Sequence, residues 1–195
     1  DFSLLQIVSN AVREMSEGEL LQLSKARRLD ITEDVYFEII RQKTASLISS
    51  CCGVGARSAG ASEELVDKMR QFGEKVGLAF QIKDDLFDFG DAEVGKPLGI
   101  DIKEKKMTLP LIYALRQTTW TKKRQIINII KNHSDKPQKV AEVIQFVRDS
   151  GGIQYATQAM QKLVEEAKAI LHSFPESNYR NSLEGLVQYT IERSK

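Results

Sequence analysis

The fold of this chain is decided by one stretch of ten residues, Phe80-Gln81-Ile82-Lys83-Asp84-Asp85-Leu86-Phe87-Asp88-Phe89. It ends a segment, Leu65 to Phe89, that predicts one helix with Ser62 in the N-cap position. On the helical period, a glutamine and three aspartates share one face of this helix: Gln81, Asp84, Asp85 and Asp88. The other sides are mostly apolar, which reverses the usual pattern of one apolar stripe on a polar background.

Three carboxylates on a mostly apolar helix need a compensating charge. Buried acids repel one another and lose hydration, so the cluster persists only if the acids are protonated or a cation lies between them. Oxygen donors without His or Cys beside them favour a hard ion, and Mg²⁺ fits best where a phosphate completes its shell. A solvated acidic face beside a loop is the simpler alternative, and the spacing alone does not separate the two.

The composition is typical of a globular protein and excludes several classes of function. Of the 195 residues, 42% are hydrophobic and 28% are charged, which excludes a disordered chain. The 28 basic residues nearly balance the 27 acidic ones, so no general field attracts nucleic acid and we expect no such partner. No apolar run approaches the roughly 20 residues of a transmembrane segment. The adjacent Cys51 and Cys52 predict small buried residues of a helix, and they suit a reducing, cytoplasmic location.

Helical periodicity extends over the rest of the chain. Further helices are predicted over Leu4–Ser24, Glu33–Cys52, Leu111–Gln117, Lys122–Lys131, Pro137–Asp149, Ile153–Ser173 and Tyr179–Arg193. No period-2 strand pattern and no internal repeat occurs in the sequence. The sequence therefore predicts a single all-α domain over residues 1–195. Because the chain begins without an initiator Met and inside a helical pattern, we expect it to be part of a longer protein.

A lysine and a threonine interrupt the apolar stripe of the helix predicted over Glu33–Cys52. The stripe consists of Tyr36, Ile39, Ile40, Leu47 and Ile48. Lys43 and Thr44 fall inside it, at i+7 and i+8 from the tyrosine. The lysine either extends past the edge of the core to reach water or is placed to meet an anion.

A lysine-bearing loop follows the acidic helix and runs from Gly90 to Asp101. Its Gly and Pro content predicts no regular structure, and its length is typical of a functional loop. Lys103, Lys105 and Lys106 come directly before the next helical pattern. One magnesium–diphosphate ligand would account for the acids, the Lys-Thr pair and the loop, because the metal bridges carboxylates to phosphate oxygens and lysines neutralise the remaining charge.

Four motifs in one order resemble the trans-isoprenyl diphosphate synthases, also called polyprenyl synthetases. The stretch Phe80–Asp88 is similar to the second aspartate-rich motif of that family, and Gly95–Pro110 is similar to the loop that follows it. Lys43-Thr44-Ala45 resembles the family's Lys-Thr pair. Glu17-Gly18-Glu19-Leu20 resembles its earlier acidic turn.

The resemblance implies both a fold and a reaction. The fold is an isoprenoid synthase-type helical bundle around a central cavity. In such enzymes an allylic diphosphate ionises with the help of Mg²⁺, the double bond of isopentenyl diphosphate attacks it, and a longer trans-polyprenyl diphosphate results. The resemblance thus implies a prenyltransferase with Mg²⁺ as cofactor, these two diphosphates as substrates, and a homodimer as the assembly.

By motif position, the resemblance also implies two sets of site residues. The set for Mg²⁺ is Asp84, Asp85 and Asp88, and the expected catalytic residues are Asp84, Asp85 and Lys43. The set for the allylic diphosphate is Lys43, Thr44, Gln81, Lys96 and Lys106. Lys103 and Lys105 match no family position, and we expect them to be solvated.

Two parts of the family's site have no counterpart in this sequence. They are the first aspartate-rich motif and the N-terminal Gly-Lys-Arg segment for isopentenyl diphosphate. We interpret this as a missing N-terminal half, so the N-terminal helices are absent and the 195 residues alone are expected to be inactive. A non-catalytic regulatory subunit of a heteromeric prenyl synthase and a class I terpene cyclase are the alternatives. The sequence of the loop after the acidic helix resembles that of the family members that make longer chains.

Overall fold

The computed structural model describes residues 2–26, 29–90 and 98–193, and it contains helices but no strand in these ranges. The helices are α1 (Phe2–Ala26), α2 (Glu33–Ile40), α3 (Ser46–Ser58), α4 (Glu63–Phe87), α5 (Ile100–Lys103), α6 (Leu109–Arg116), α7 (Trp120–Asn132), α8 (Pro137–Asp149), α9 (Gly152–His172) and α10 (Asn178–Glu192). A π-helical turn, Arg41–Ala45, joins α2 to α3 without a break. The predicted all-α class is confirmed.

The described chain divides into two compact units. The first contains α1 as far as Gln22, Phe37–Gln81 and Ala159–Arg193, and the second contains Leu23–Tyr36 and Ile82–Gln158. Helix α4 contributes to both units and passes from one to the other after Gln81. The single-domain organisation stays a prediction.

Each unit has its own apolar core. In the first unit the buried side chains include those of Ile39, Ile40, Ala45, Val66, Phe72, Ala79 and Val164. In the second they include Ile82, Phe89, Leu109, Leu111, Ile126, Ile130, Val143 and Val147. Burying such side chains is the main source of stability for both units, because each of the larger ones (Val, Leu, Ile or Phe) contributes about 1.5–3 kcal/mol.

Small residues let α3 and its preceding turn come very close to α4 in the first unit. A Cβ atom built on Gly77 would lie 2.6 Å from Ala45 Cα, and one built on Gly73 would lie 2.7 Å from the carbonyl oxygen of Ile48. Backbone atoms cannot move aside as a flexible side chain can, so both positions require glycine. The two glycines therefore fix how deeply the helix that carries Lys43 and Thr44 packs on α4.

The predicted helices are present, and most of their boundaries differ from the prediction by one or two residues. Helix α3 extends to Ser58 rather than Cys52, and α4 ends at Phe87 rather than Phe89. The predicted irregular loop from Gly90 to Asp101 contains the start of the short helix α5. This helix forms because the Asp88 carboxylate accepts hydrogen bonds from the first backbone N–H groups, at Ile100 and Asp101.

Two burial predictions are wrong, and both concern the helix around the π-turn. Cys51 is exposed and Cys52 is only half-buried, and Leu47 is 46% exposed. The prediction assumed 3.6 residues per turn throughout, whereas a π-turn takes up an additional residue and rotates the following helix. The residues buried at the end of the turn and after it are accordingly Ala45, Ser46, Ser49, Ser50 and Gly53.

Helix α1 buries little of its surface. Among its residues whose burial is described only Ala11 and Gly18 are buried, while Leu5, Val8 and Val12 are exposed. None of the described helices is both long enough and apolar enough to cross a bilayer.

Candidate active site

Lys43 and Thr44 lie at the centre of the π-turn between α2 and α3. The N–H group of Ser46 donates to the carbonyl oxygen of Arg41, five residues earlier, which defines the wider turn. Both side chains are half-buried rather than part of a continuous apolar stripe. A π-turn inside an α-helix is frequently found at a functional site, and this one presents the two residues that the Lys-Thr motif singled out.

Ion pairs hold the first residue of the π-turn. The Arg41 guanidinium lies 3.0 Å from Glu14 Oε2 and 2.8 Å from Glu38 Oε1. Its hydrogen bond to Glu38 holds the pKa of that carboxyl below its ordinary value, although partial burial acts in the opposite direction. The turn is therefore tied to α1 and to the preceding turn of α2 by charge as well as by packing.

The Lys43 ammonium contacts the acidic turn of α1. Its Nζ atom lies 2.7 Å from Glu19 Oε2 and donates to Gln22 Oε1 at 3.2 Å. Gly18 allows this approach, since a Cβ atom built there would lie 2.7 Å from the backbone nitrogen of Lys43. The Glu17-Gly18-Glu19 motif thus has a structural role. Gly18 leaves room for the backbone of Lys43, and Glu19 forms an ion pair with the Lys43 ammonium. With 37% of its side chain exposed, Lys43 keeps access to a soluble anion.

The structure brings Thr44 and Gln81 together within the first unit. Thr44 Oγ1 donates a hydrogen bond of 3.0 Å to Gln81 Oε1. Because its carbonyl oxygen is held by the threonine, the glutamine side chain is oriented before any ligand binds. Two predicted diphosphate-binding residues that are 37 positions apart in the sequence are therefore paired.

In the second unit, Asp85 is hydrogen-bonded to a buried tyrosine. The Tyr36 hydroxyl donates to Asp85 Oδ2 at 2.7 Å, and the two residues are 4% and 7% exposed. Burial, reinforced by the negative charge of Asp85, raises the pKa of Tyr36 well above its ordinary value. Sequence reasoning placed Tyr36 in the apolar stripe and missed its hydroxyl. The available signal was that a buried tyrosine hydroxyl usually finds a hydrogen-bond partner.

Asp88 lies in the turn just after α4, and its carboxylate holds the start of α5. Oδ1 accepts from the Ile100 N–H group at 2.7 Å, and Oδ2 accepts from the Asp101 N–H group at 3.2 Å. Asp88 is 4% exposed, whereas Asp84 is half-buried. The three aspartates therefore have different environments, although they are equivalent in the sequence pattern.

The described lysines after the acidic helix differ in their surroundings. The Lys106 ammonium lies 2.6 Å from Glu104 Oε2 and 3.2 Å from Asp101 Oδ1. Burial opposes the charge of Lys106, but the hydrogen bonds and charges of these two acids together hold its pKa above the ordinary value. The prediction that Lys103 and Lys105 are solvated is confirmed, because both are exposed. Lys96 lies outside the described residues.

The aspartates fit a hard divalent cation by their chemistry. All three offer carboxylate oxygens, and two are buried, where a compensating cation is most favourable. Within the described parts of the chain, no three His, Cys, Asp or Glu side chains converge as a preformed metal site. Mg²⁺ commonly takes only one or two carboxylates and completes its shell with water and substrate phosphate. The residues fit a Mg²⁺ ion that binds together with a phosphate group.

Comparisons with known proteins support the motif resemblance. The polyprenyl synthetase family model matches residues 1–147. A short chain isoprenyl diphosphate synthase from Methanothermobacter thermautotrophicus is 35% identical over 191 residues, which cover 97% of this chain and 58% of that protein. The crystal structure of a decaprenyl diphosphate synthase from Rhodobacter capsulatus has a TM-score of 0.92 and 32% identity, covering 100% of this chain and 61% of the other.

A further solved structure contains a metal and a diphosphate. It is a polyprenyl synthase from Caulobacter crescentus complexed with calcium and isoprenyl diphosphate, with a TM-score of 0.91 and 31% identity, covering 100% of this chain and 60% of the other. The chain thus spans about three fifths of the length of these relatives. Because the family model matches well over half of its residues, the chain belongs to the polyprenyl synthetase family.

Proposed function

We propose that this chain is part of a trans-polyprenyl diphosphate synthase that joins isopentenyl diphosphate to an allylic diphosphate. The observation that carries the proposal is the set of oriented polar side chains along the C-terminal end of α4. Gln81 is held by Thr44, Asp85 by Tyr36, and Asp88 by two backbone N–H groups. A relative solved with calcium and isoprenyl diphosphate supports a divalent cation and a diphosphate as ligands of this chain.

The cationic and hydroxyl groups of the site would bind the allylic diphosphate. Lys43 and Lys106, together with Lys96, oppose the negative charge that grows on the diphosphate as its bond to carbon breaks. Thr44 and Gln81 orient it through hydrogen bonds. Lys43 would exchange its contact with Glu19 for a phosphate oxygen, a small loss because Lys43 and Glu19 are both partly exposed.

Asp84, Asp85 and Asp88 would hold Mg²⁺. When bound, the ion supplies Lewis-acid stabilisation of the departing diphosphate. The reaction breaks the allylic carbon–oxygen bond, forms a carbon–carbon bond from the double bond of isopentenyl diphosphate, and releases one proton and one diphosphate. The residues described here act on the diphosphate side of this reaction.

The alternative, a non-catalytic regulatory subunit of a heteromeric prenyl synthase, accounts less well for the site. Such a subunit has little need of a partly exposed Lys43 ammonium, an oriented Gln81 and three aspartates at one helix end. A terpene cyclase is less favoured, because the relatives described above are chain-elongating synthases by name. Those relatives include a short-chain and a decaprenyl enzyme, so they favour no particular product length. The homodimer and the cytoplasmic location stay predictions.

The experiment that tests this proposal uses the full-length protein with Mg²⁺, farnesyl diphosphate and radiolabelled isopentenyl diphosphate. We expect labelled products longer than the allylic substrate. Asp84→Ala should reduce turnover about a thousandfold, a typical consequence of losing several kcal/mol of charge stabilisation. Asp67→Ala is the matched control, because Asp67 is an exposed aspartate of the same helix.

Two results would contradict the proposal. The first is a full-length protein that incorporates no label, which would favour the regulatory subunit. The second is an Asp84→Ala variant with the turnover of the wild type, which would show that Asp84 takes no part in the reaction. Circular dichroism on each variant verifies that the helical fold is retained.

A further inference from the structure

The contact between Tyr36 and Asp85 joins two helices within the second unit. Tyr36 belongs to the first turns of α2 and Asp85 to the last turn of α4, 49 residues away in the sequence. The hydroxyl-to-carboxylate distance is 2.7 Å, which is ideal for an O–H···O hydrogen bond. Both residues are more than nine-tenths buried.

The hydroxyl group is the only feature of Tyr36 that packing does not explain. Its neighbours in the stripe, Ile39 and Ile40, are 5% and 6% exposed, so the aromatic ring continues an apolar surface that a phenylalanine could equally fill. The hydroxyl adds one donor, which is protonated at neutral pH, as expected for a phenol. It is directed at one carboxylate oxygen of the acidic helix.

A hydrogen bond at this place fixes the orientation of the carboxylate. An aspartate carboxyl rotates freely about its last torsion unless a partner holds it, and a buried carboxylate is costly to leave without a donor. Partners that orient metal-binding side chains in this way commonly change metal affinity by about 10- to 100-fold. Asp88 is oriented by backbone N–H groups, whereas Asp85 accepts its hydrogen bond of 2.7 Å from a side chain, that of Tyr36, which can be replaced.

We propose that Tyr36 is a positioning residue, which holds the Asp85 carboxylate in the orientation in which it binds the divalent cation. This inference rests on the proposed function, since it takes Asp85 to be a cation ligand. It assigns to α2 a role in metal binding that is separate from the role of the Lys43–Thr44 pair in binding the diphosphate.

The test is Tyr36→Phe in the full-length protein, which removes the hydroxyl and keeps the ring. Mn²⁺ binding in the presence of inorganic pyrophosphate, followed by electron paramagnetic resonance, should weaken about 10- to 100-fold. In the elongation assay, the Mg²⁺ concentration for half-maximal rate should rise by a similar factor. The KM for isopentenyl diphosphate should stay within about twofold, because the proposed effect of the Tyr36 hydroxyl is on the binding of the cation and not on this substrate.

Tyr155→Phe is the matched control for this test. The Tyr155 hydroxyl also donates a hydrogen bond to a partly buried carboxylate of the second unit, that of Glu33. Neither Tyr155 nor Glu33 is among the proposed ligands of the cation. Removing the Tyr155 hydroxyl should therefore leave the Mn²⁺ affinity and the Mg²⁺ dependence of the rate unchanged. A double-mutant cycle with Asp85→Asn adds a second measurement: Tyr36→Phe should have no further effect on Mn²⁺ affinity once Asp85 is neutral.

Three outcomes would overturn the inference: unchanged Mn²⁺ affinity in Tyr36→Phe, an equal loss in Tyr155→Phe, or an undiminished effect of Tyr36→Phe in the Asp85→Asn background. If Tyr36→Phe is less stable, the increase in melting temperature on adding Mn²⁺ and pyrophosphate is compared instead, and an increase equal to that of the wild type also overturns it. Failure of the proposed function is distinguishable, because then the wild-type protein itself forms no elongated product.

Discussion

At the scale of single residues, the sequence singled out the candidate site residues but not the partners that hold their side chains. Lys43, Thr44, Gln81 and the aspartates stand out because their types and spacing conflict with an ordinary apolar stripe. Their partners are 12 to 49 residues away, as in the contacts of Asp88 with Ile100 and of Asp85 with Tyr36. No local pattern encodes such a pairing, so the partners became visible only once the helices were packed.

Lys43→Ala in the full-length protein tests whether this lysine binds an anion or only extends past the edge of the core to reach water. We expect the KM for the allylic diphosphate to rise about 10- to 100-fold, because a charge-assisted hydrogen bond contributes roughly 1.5–3 kcal/mol. The melting temperature should change little, since the lysine side chain is 37% exposed and its ion pair is half in solvent. Steady-state kinetics and thermal unfolding measure the two effects.

Lys105→Ala is the control for Lys43→Ala, because Lys105 is exposed and matches no motif position. It should leave the KM unchanged. A Lys43→Ala variant that loses stability but keeps its KM would show that the lysine serves only the packing of the helix.

At the scale of elements, periodicity predicted the helices and their order but not the π-turn at Arg41–Ala45. Pattern analysis assumes 3.6 residues per turn, and a single wider turn shifts every later position to another face. The exposure of Leu47 and Cys51 follows from this shift. The pattern also gave no indication of α5, because a helix of four residues depends on the Asp88 carboxylate rather than on its own sequence.

A pair of glycine substitutions tests the close packing of α3 on α4. Gly77→Ala should lower the free energy of unfolding by about 1–3 kcal/mol, because the new methyl group would overlap the backbone at Ala45. Gly55→Ala should raise it by up to about 1 kcal/mol, because nothing lies within 4 Å of its Cβ position and alanine favours the helix. Urea unfolding measures both. Equal effects of the two substitutions would refute the packing described for α4.

At the scale of the whole molecule, the all-α class and the family followed from local information alone. Helical period is a property of short segments, and the four motifs lie within the first 110 residues. The division into two units did not follow, because it depends on contacts between segments far apart in the chain. Since the chain spans about three fifths of the length of its relatives, activity has to be measured on the full-length protein.

Ligand-dependent stability of the full-length protein tests how the metal binds. Mg²⁺ with inorganic pyrophosphate should raise the melting temperature by several degrees, since saturation at 100 times the Kd contributes about 2.7 kcal/mol. Mg²⁺ alone should have a much smaller effect, because no three acidic side chains converge in the described residues. Adding EDTA should abolish the shift, and differential scanning calorimetry measures it. An equal shift with Mg²⁺ alone would indicate a metal site that needs no phosphate.

The π-turn has a consequence for how this helix tolerates insertions and deletions. Removing one residue between Arg41 and Ala45 would let the segment close as an ordinary α-helix, and the residues after it would keep their present faces, because the π-turn takes up one additional residue. Inserting one more residue there would instead turn everything after it by about 100°. The residues that face Gly73 and Gly77 would then turn away from them, and the packing between α3 and α4 would be lost. At this turn the helix can therefore lose one residue without losing its packing on α4, but it cannot gain one.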